Sequence, residues 1–173
     1  MFIVSCGLYS LAGSIPPHIK SISIPLVENQ TSDFAIAEDL TDAIIKQFNQ
    51  SGILPIQDAG GAHSILKGKV NKITDGPYSY NKNESISEYR YKVDVKIEWY
   101  DNITDKNIIE KNYSGFGAYG LSGDISSDGI DNDNDGKIDG EDDNEFGEPR
   151  SFAAKVAISK IAEDILNDIM TTW

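Results

Sequence analysis

From Glu88 to Trp99 the chain alternates without a break. Tyr89, Tyr91, Val93, Val95, Ile97 and Trp99 are apolar or aromatic, while Glu88, Arg90, Lys92, Asp94, Lys96 and Glu98 are charged. Successive side chains of an extended strand point to opposite faces, so this period of two builds a strand with one dry face and one wet face. Such a strand belongs to an antiparallel sheet covered on one side only. The rest of the chain must supply that cover.

Two amphipathic helices do so. The first runs from about residue 32 to residue 51, with Ala37, Leu40, Ile44 and Phe48 on one stripe and Ile36 and Ile45 widening it. Ser32 or Asp33 is placed to cap its N-terminus, and Gly52 to end it in a left-handed turn. The second runs from Phe152 to about Thr171, capped by Ser151, with Ala154, Ile158, Ile161, Ile165 and Ile169 buried. Lys20–Ile24, residues 65–73 and residues 108–119 read as further strands, and residues 53–56 as a short extended piece. Glu28-Asn29-Gln30-Thr31 reads as a loop, Gly76-Pro77 as a turn and residues 101–107 as a hairpin loop. Gly115 and Gly117 mark a bulge or a close approach. The expected fold is an α+β sandwich, with two helices on one face of a mixed, mostly antiparallel sheet of about four strands.

A chain of 173 residues with 39% hydrophobic content supports one domain with a real core. No run of 18 apolar residues occurs, so no segment reads as a spanning helix. The net charge of −13 is unevenly placed. Between Asp124 and Glu148 lie eleven acidic residues and one lysine, which leaves only −3 for the rest of the chain. The acidity therefore belongs to an insert spanning about residues 120–148. No strongly basic surface points to nucleic acid as a partner.

The single cysteine, Cys6, ends the run Ile3-Val4-Ser5-Cys6-Gly7. Two aliphatic residues, a small residue and then Cys is the pattern read by bacterial lipoprotein maturation. The leader is cut before the Cys, whose sulfur carries a covalent lipid. Only five residues precede Cys6, fewer than the apolar stretch of about 7–15 residues that an export signal needs. Residues 1–5 are thus expected to be the remnant of a leader whose start lies upstream. Residues 6–17 form a lipidated tether, and residues 18–173 form one α+β domain.

Within the acidic insert, Asp131, Asp133 and Asp135 alternate, followed by Gly136, Lys137, Asp139 and Asp142. Calcium takes six to eight oxygen ligands, and carboxylates at alternate positions of a short loop supply them. Gly136 permits the sharp turn, the Lys137 carbonyl serves as a backbone ligand, and Asp142 stands where a glutamate is usual. The stretch Asp128–Asp133 also resembles extracellular calcium repeats of the thrombospondin type. A structural Ca²⁺ is the expectation; a merely solvated acidic insertion is the alternative.

The polar strand faces carry Lys67, Lys69, Arg90, Lys92 and Lys96. Brought side by side, these make a basic stripe fit to meet lipid phosphates. Glu88, Asp94 and Glu98 share that face, so ordinary cross-strand charge pairing is the competing reading. His18 and His63 are the only histidines, and neither has a nucleophile or a metal-ligand partner in sequence. No catalytic residues are assigned, and an enzyme is not expected.

The order of these segments resembles a known family. Cys6-Gly7, Tyr9, Ile15-Pro16-Pro17-His18-Ile19-Lys20, Ile22-Ser23-Ile24-Pro25 and Glu28–Thr31 are similar to the LPS-assembly lipoprotein family (LptE). So are Leu40-Thr41-Asp42-Ala43-Ile44, Leu66-Lys67-Gly68, the strand beginning Glu88-Tyr89-Arg90 and the C-terminal amphipathic helix. The resemblance covers nearly the whole chain except the acidic insert. It implies a lipoprotein anchored at the outer membrane through Cys6, on the periplasmic side or inside the lumen of the β-barrel translocon LptD. There it would act as a plug and assembly partner and contact lipopolysaccharide. A curli-secretion-type or other periplasmic α+β lipoprotein begins in a similar way, and a calcium-binding surface adhesion module is a third reading.

Overall fold

The structure, a computed structural model, describes residues 15–120, 127, 129–131, 136–138, 141 and 147–171. Its elements are β1 (Ile22–Ser23), β2 (Glu28–Asn29), α1 (Ile36–Ser51), β3 (Ser64–Tyr80), β4 (Ile86–Asp101), β5 (Lys106–Tyr119) and α2 (Pro149–Thr171). β3, β4 and β5 form an antiparallel meander. β1 and β2 add to the outer edge of β3 as two short parallel pieces, giving a five-stranded mixed sheet. The fold class expected from the alternation is the one observed.

The alternation also sets the layers. Tyr91, Val93, Val95, Ile97 and Trp99 are buried and share one core with Leu40, Ile44 and Phe48 of α1 and Ile158, Ile161, Ile165 and Ile169 of α2. The helices cover this face. Lys67, Lys92, Lys96 and Glu98 lie on the opposite, open face.

α2 lies unusually close to β5. An added Cβ at Gly115 would come within 2.1 Å of the Ala157 carbonyl oxygen, and one at Gly117 within 2.4 Å of the Ala153 carbonyl oxygen. Both helical residues are alanines with 0% exposure. The helix backbone thus rests directly on the strand backbone, the close approach that the two glycines announced.

Several boundaries differ from expectation, each for a tertiary reason. α1 begins at Ile36 after Ala35, with no side-chain cap. The expected cap, Asp33, accepts a hydrogen bond from the Tyr91 hydroxyl instead. α2 begins at Pro149, and the carboxylate of Glu148, not Ser151, takes the capping role by accepting from the Ser151 N–H at 2.8 Å. Proline follows at the first helical position, where a missing N–H costs nothing. Ala153 and Ala157 face the sheet, leaving Ala154 only half-buried. The expected turn at Gly76-Pro77 is absent: β3 runs through it to Tyr80, with a register shift just after Pro77. Among the described residues no strand pairs with the outer edge of β3 there, and an edge tolerates proline. Glu28-Asn29, read as loop, pairs with Lys69 and Val70 as β2. Gly52 ends α1 with φ +64°, as expected.

The tight helix–strand contact predicts a large effect from one methyl group. Gly115→Ala should destabilise the domain by about 2 kcal/mol or more, because the helix must lift off the strand. Urea unfolding followed by circular dichroism would measure it, and a change within experimental error would refute the backbone contact.

Candidate functional site

The open face of the sheet brings the predicted cations together. Across the β3–β4 ladder, Lys67 stands opposite Glu98, Lys69 opposite Lys96, and Gly76 opposite Arg90. Across β4–β5, Lys92 faces Phe116, Lys96 faces Asn112 and Arg90 faces Ala118. All five expected residues therefore share one surface, but they are not equivalent.

Lys92 pairs with Asp94 at 2.7 Å, and Lys96 with both Glu98 at 2.7 Å and Glu110 at 2.6 Å. The hydrogen bonds to Glu110 and Glu98 hold the Lys96 ammonium above the ordinary lysine value. This half of the stripe is the cross-strand pairing of a wet sheet. Lys67 lies over the Tyr100 ring at 5.6 Å. Arg90 is different again: its guanidinium carbon sits 3.3 Å from the centre of the Tyr78 ring and 4.1 Å from that of Phe116. Each such contact contributes about 0.5–1 kcal/mol at an exposed site. The buried Arg90 Nε has no hydrogen-bond partner among the described residues.

Sequence reasoning misses three members of this surface. Lys72 stands opposite Asp94 because a bulge between Val70 and Lys72 moves it onto the face that strict alternation gives to Asn71. Tyr78 is hidden by the expected turn at Gly76-Pro77. Phe116 carried a legible signal, since it occupies the polar parity of β5 between Gly115 and Gly117, yet it is aromatic.

A second cluster lies at the base of the acidic insert. Asp75 of β3 accepts from the Tyr119 hydroxyl at 2.5 Å and from Arg150 Nε at 2.6 Å. Tyr119 is the last residue of β5 and Arg150 the second of α2, so one carboxylate ties the two stems of the insert together. Arg150 also lies 3.8 Å from Asp33 and over the Tyr91 ring. A polar cleft beside it is lined by Gln30, Thr31, Asn71 and Lys72 among others. Burial, then hydrogen bonding to Asp33, pushes the Tyr91 hydroxyl well above its usual range. Burial followed by Asp75 does the same to Tyr119, and burial followed by Asp168 to Tyr113.

The two histidines serve packing at the other end of the sheet. His18 Nε2 lies 2.6 Å from an Asp101 carboxylate oxygen, and His63 Nδ1 lies 2.8 Å from Ser21 Oγ. Burial alone would raise Asp101. Hydrogen bonds from the Thr104 hydroxyl, His18 and the Ile103 and Thr104 N–H groups outweigh it and hold the carboxyl well below the usual range.

Cys6, Asp133, Asp135, Asp139 and Asp142 lie outside the described residues. Of the expected calcium ligands, Asp131 and Lys137 are described. Asp131 Oδ2 accepts from the Gly136 N–H at 2.9 Å, and Gly136 has φ +96°.

Residues 19–172 match the family described as lipopolysaccharide-assembly, LptE. The chain belongs to the LptE family. Its members are assembly proteins rather than enzymes. No curated protein matches the sequence. Among solved structures, this LptE-family chain is similar to a protein from Xanthomonas campestris, with a TM-score of 0.57 and 8% identity over 91% of this chain and 90% of that one. It is also similar to a hypothetical protein from Chlamydia trachomatis, at 0.54 and 10% identity over 87% and 98%. Rare lipoprotein B from Shewanella oneidensis aligns at 0.50 and 11% identity over 87% and 95%. At such identities the likeness speaks for the fold.

The tyrosine–aspartate bonds predict a particular alkaline behaviour. A raised folded pKa adds stability that is complete below pH about 10, where an unfolded tyrosine keeps its proton, and that declines as pH rises beyond it. Phenolate absorbance should show Tyr91, Tyr113 and Tyr119 ionising only as the domain unfolds. All eight tyrosines titrating reversibly near the ordinary value would contradict these bonds.

Proposed function

We propose that this chain is an outer-membrane lipoprotein, acylated at Cys6, that acts as plug and assembly partner of the barrel LptD. In that role it assists lipopolysaccharide transport and insertion at the cell surface. The observation that carries the reading is the family match, which runs through every element of the described fold. Two features support it. A diacylglyceryl group on Cys6 brings two acyl chains, enough for stable anchoring. The segment from Cys6 to Ile15 reaches at most about 30 Å, so the anchor holds the domain close to the bilayer. No helix among the described residues is long and apolar enough to cross a membrane. In this reading Lys67, Lys69 and Arg90, which have no carboxylate partner among the described residues, form the lipid-facing part of the open sheet, while Lys92 and Lys96 have theirs.

The test is made on the precursor with its leader, expressed in a Gram-negative host. The wild-type chain should fractionate with outer membranes and carry LptD through detergent purification. Cys6→Ala should release it to the soluble fraction. A homo-oligomer without a barrel, or unchanged membrane attachment of the variant, would overturn the reading.

The same proposal gives the insert a structural Ca²⁺, held by Asp131, Asp133, Asp135, the Lys137 carbonyl, Asp139 and Asp142. The spacing supports it, as does the bond from the Gly136 N–H to Asp131, which closes the loop around a glycine with φ +96°. Titration calorimetry should detect one calcium site. The double variant Asp131→Ala, Asp135→Ala should abolish it, and retained binding would count against the assignment.

A further inference from the structure

We propose that the β4–β5 turn, with Ile103 at its tip, is a second membrane contact that stands this domain end-on against the lipid bilayer. The inference rests on the acylated Cys6 proposed above and adds the orientation that an anchor alone leaves open.

The turn is built to leave water. Ile103 is 54% exposed, and the four polar side chains around it are all committed inside the protein. The buried Asp101 carboxylate accepts from the Ile103 N–H at 2.9 Å, the Thr104 N–H at 3.3 Å and the Thr104 hydroxyl at 2.6 Å. Asn102 donates to the Ala62 carbonyl at 2.8 Å, and Asp105 accepts from the Tyr100 hydroxyl. Polar groups already bonded cost less to bring to the edge of a bilayer than groups that must give up water. The same bonds fix the turn, so Ile103 is held outward before any lipid is met.

The anchor arrives at this end. His18 Nε2 lies 2.6 Å from Asp101, and the Ile19 N–H donates back to the Pro16 carbonyl at 2.9 Å. The polypeptide therefore enters the fold beside the turn, with Pro17 exposed. Cys6 precedes Ile15 by a reach of at most about 30 Å. Once the lipid is in the bilayer, contact by the turn is intramolecular, and one isoleucine suffices where it would fail on a free protein. Lys106, opposite Asp101 at the start of β5, and Lys20 are exposed at the same end. Their long stems let the ammonium groups rest at headgroup level while Ile103 reaches the acyl boundary.

The far end is unsuited to this contact. The acidic insert springs from Tyr119 and Arg150, and Tyr119 stands opposite Tyr89, roughly 40 Å along β4 from Asp101. Its eleven acidic residues and one lysine are thereby kept away from headgroup phosphates. Phe34, 90% exposed beside Asp33 at that far end, is the rival apolar contact, and the two orientations exclude each other.

The experiment uses the full chain coupled through Cys6, its only cysteine, to a maleimide lipid in phosphatidylcholine nanodiscs. Spin-labelled lipid in the discs broadens the NMR signals of groups that approach the acyl region. The Ile103 and Thr104 methyls should lose intensity at least about threefold more than the Leu26 methyls, the Phe34 ring should be unaffected, and uncoupled chain should show no loss. Ile103→Asn should cut the effect on Thr104 about threefold or more, and Ile103→Val should keep it. Circular dichroism checks that both variants fold. Broadening that is uniform, or strongest at Phe34, or unchanged at Thr104 in Ile103→Asn, overturns the orientation. So does its absence at the turn of the coupled chain, which would leave this end to a protein neighbour such as the barrel wall. Because the lipid is supplied chemically, these outcomes are independent of whether cells acylate Cys6, which the fractionation of Cys6→Ala decides.

Discussion

The contact between α2 and β5 is the constraint on which the rest of the molecule depends. A helix normally stands off a sheet by the length of its side chains. Here the Ala153 and Ala157 carbonyls occupy the space where Cβ atoms of Gly117 and Gly115 would be. The helix therefore sits deep, and its isoleucines reach past β5 to the centre of the sheet, where Ile161, Ile165 and Ile169 are fully buried. That depth also brings α2 against α1, which packs on it rather than mainly on the strands. It fixes where α2 starts, and so places Arg150 over Tyr91 and against Asp75.

The covered half of the molecule was largely legible from sequence. Strict alternation in β4 and the isoleucine stripe of α2 are dictated by burial, which is periodic and local. What escaped was set by pairs distant in sequence. Asp33 reads as a helix cap until the Tyr91 hydroxyl, 58 residues on, takes it. Gly76-Pro77 reads as a turn because proline cannot serve a central ladder, but the edge of β3 makes no such demand. The bulge at Asn71 reverses the parity of β3 from Lys72 to Pro77, which puts Lys72 on the open face against the alternation. On the candidate site, charge was legible and partnership was not. Five cations on wet positions could be named, but which of them meets a carboxylate, and which meets a ring, depends on register across three strands.

The two ends of the sheet are chemically distinct. At one end, the polypeptide enters through Pro16 and Pro17, and both histidines tie that entry to the β4–β5 turn and the start of β3. At the other end lie the β3–β4 turn, the Arg90 stack and the stems of the acidic insert, held by Asp75. β4 runs from one to the other, so whatever the first end is fastened to is kept a strand's length from whatever the second end touches.

The irregularities of β3 also bear on how copies of this chain behave toward each other. Beyond Val70 no strand among the described residues lies beside its outer edge, and an edge of free N–H and C=O groups invites a neighbouring molecule to extend the sheet. Register shifts after Val70, Pro77 and Ser79 break the even spacing that such pairing needs, and Pro77 lacks an N–H altogether. A regular strand there would leave concentrated protein prone to edge-to-edge aggregation; the kinked one lets an exposed edge remain solitary.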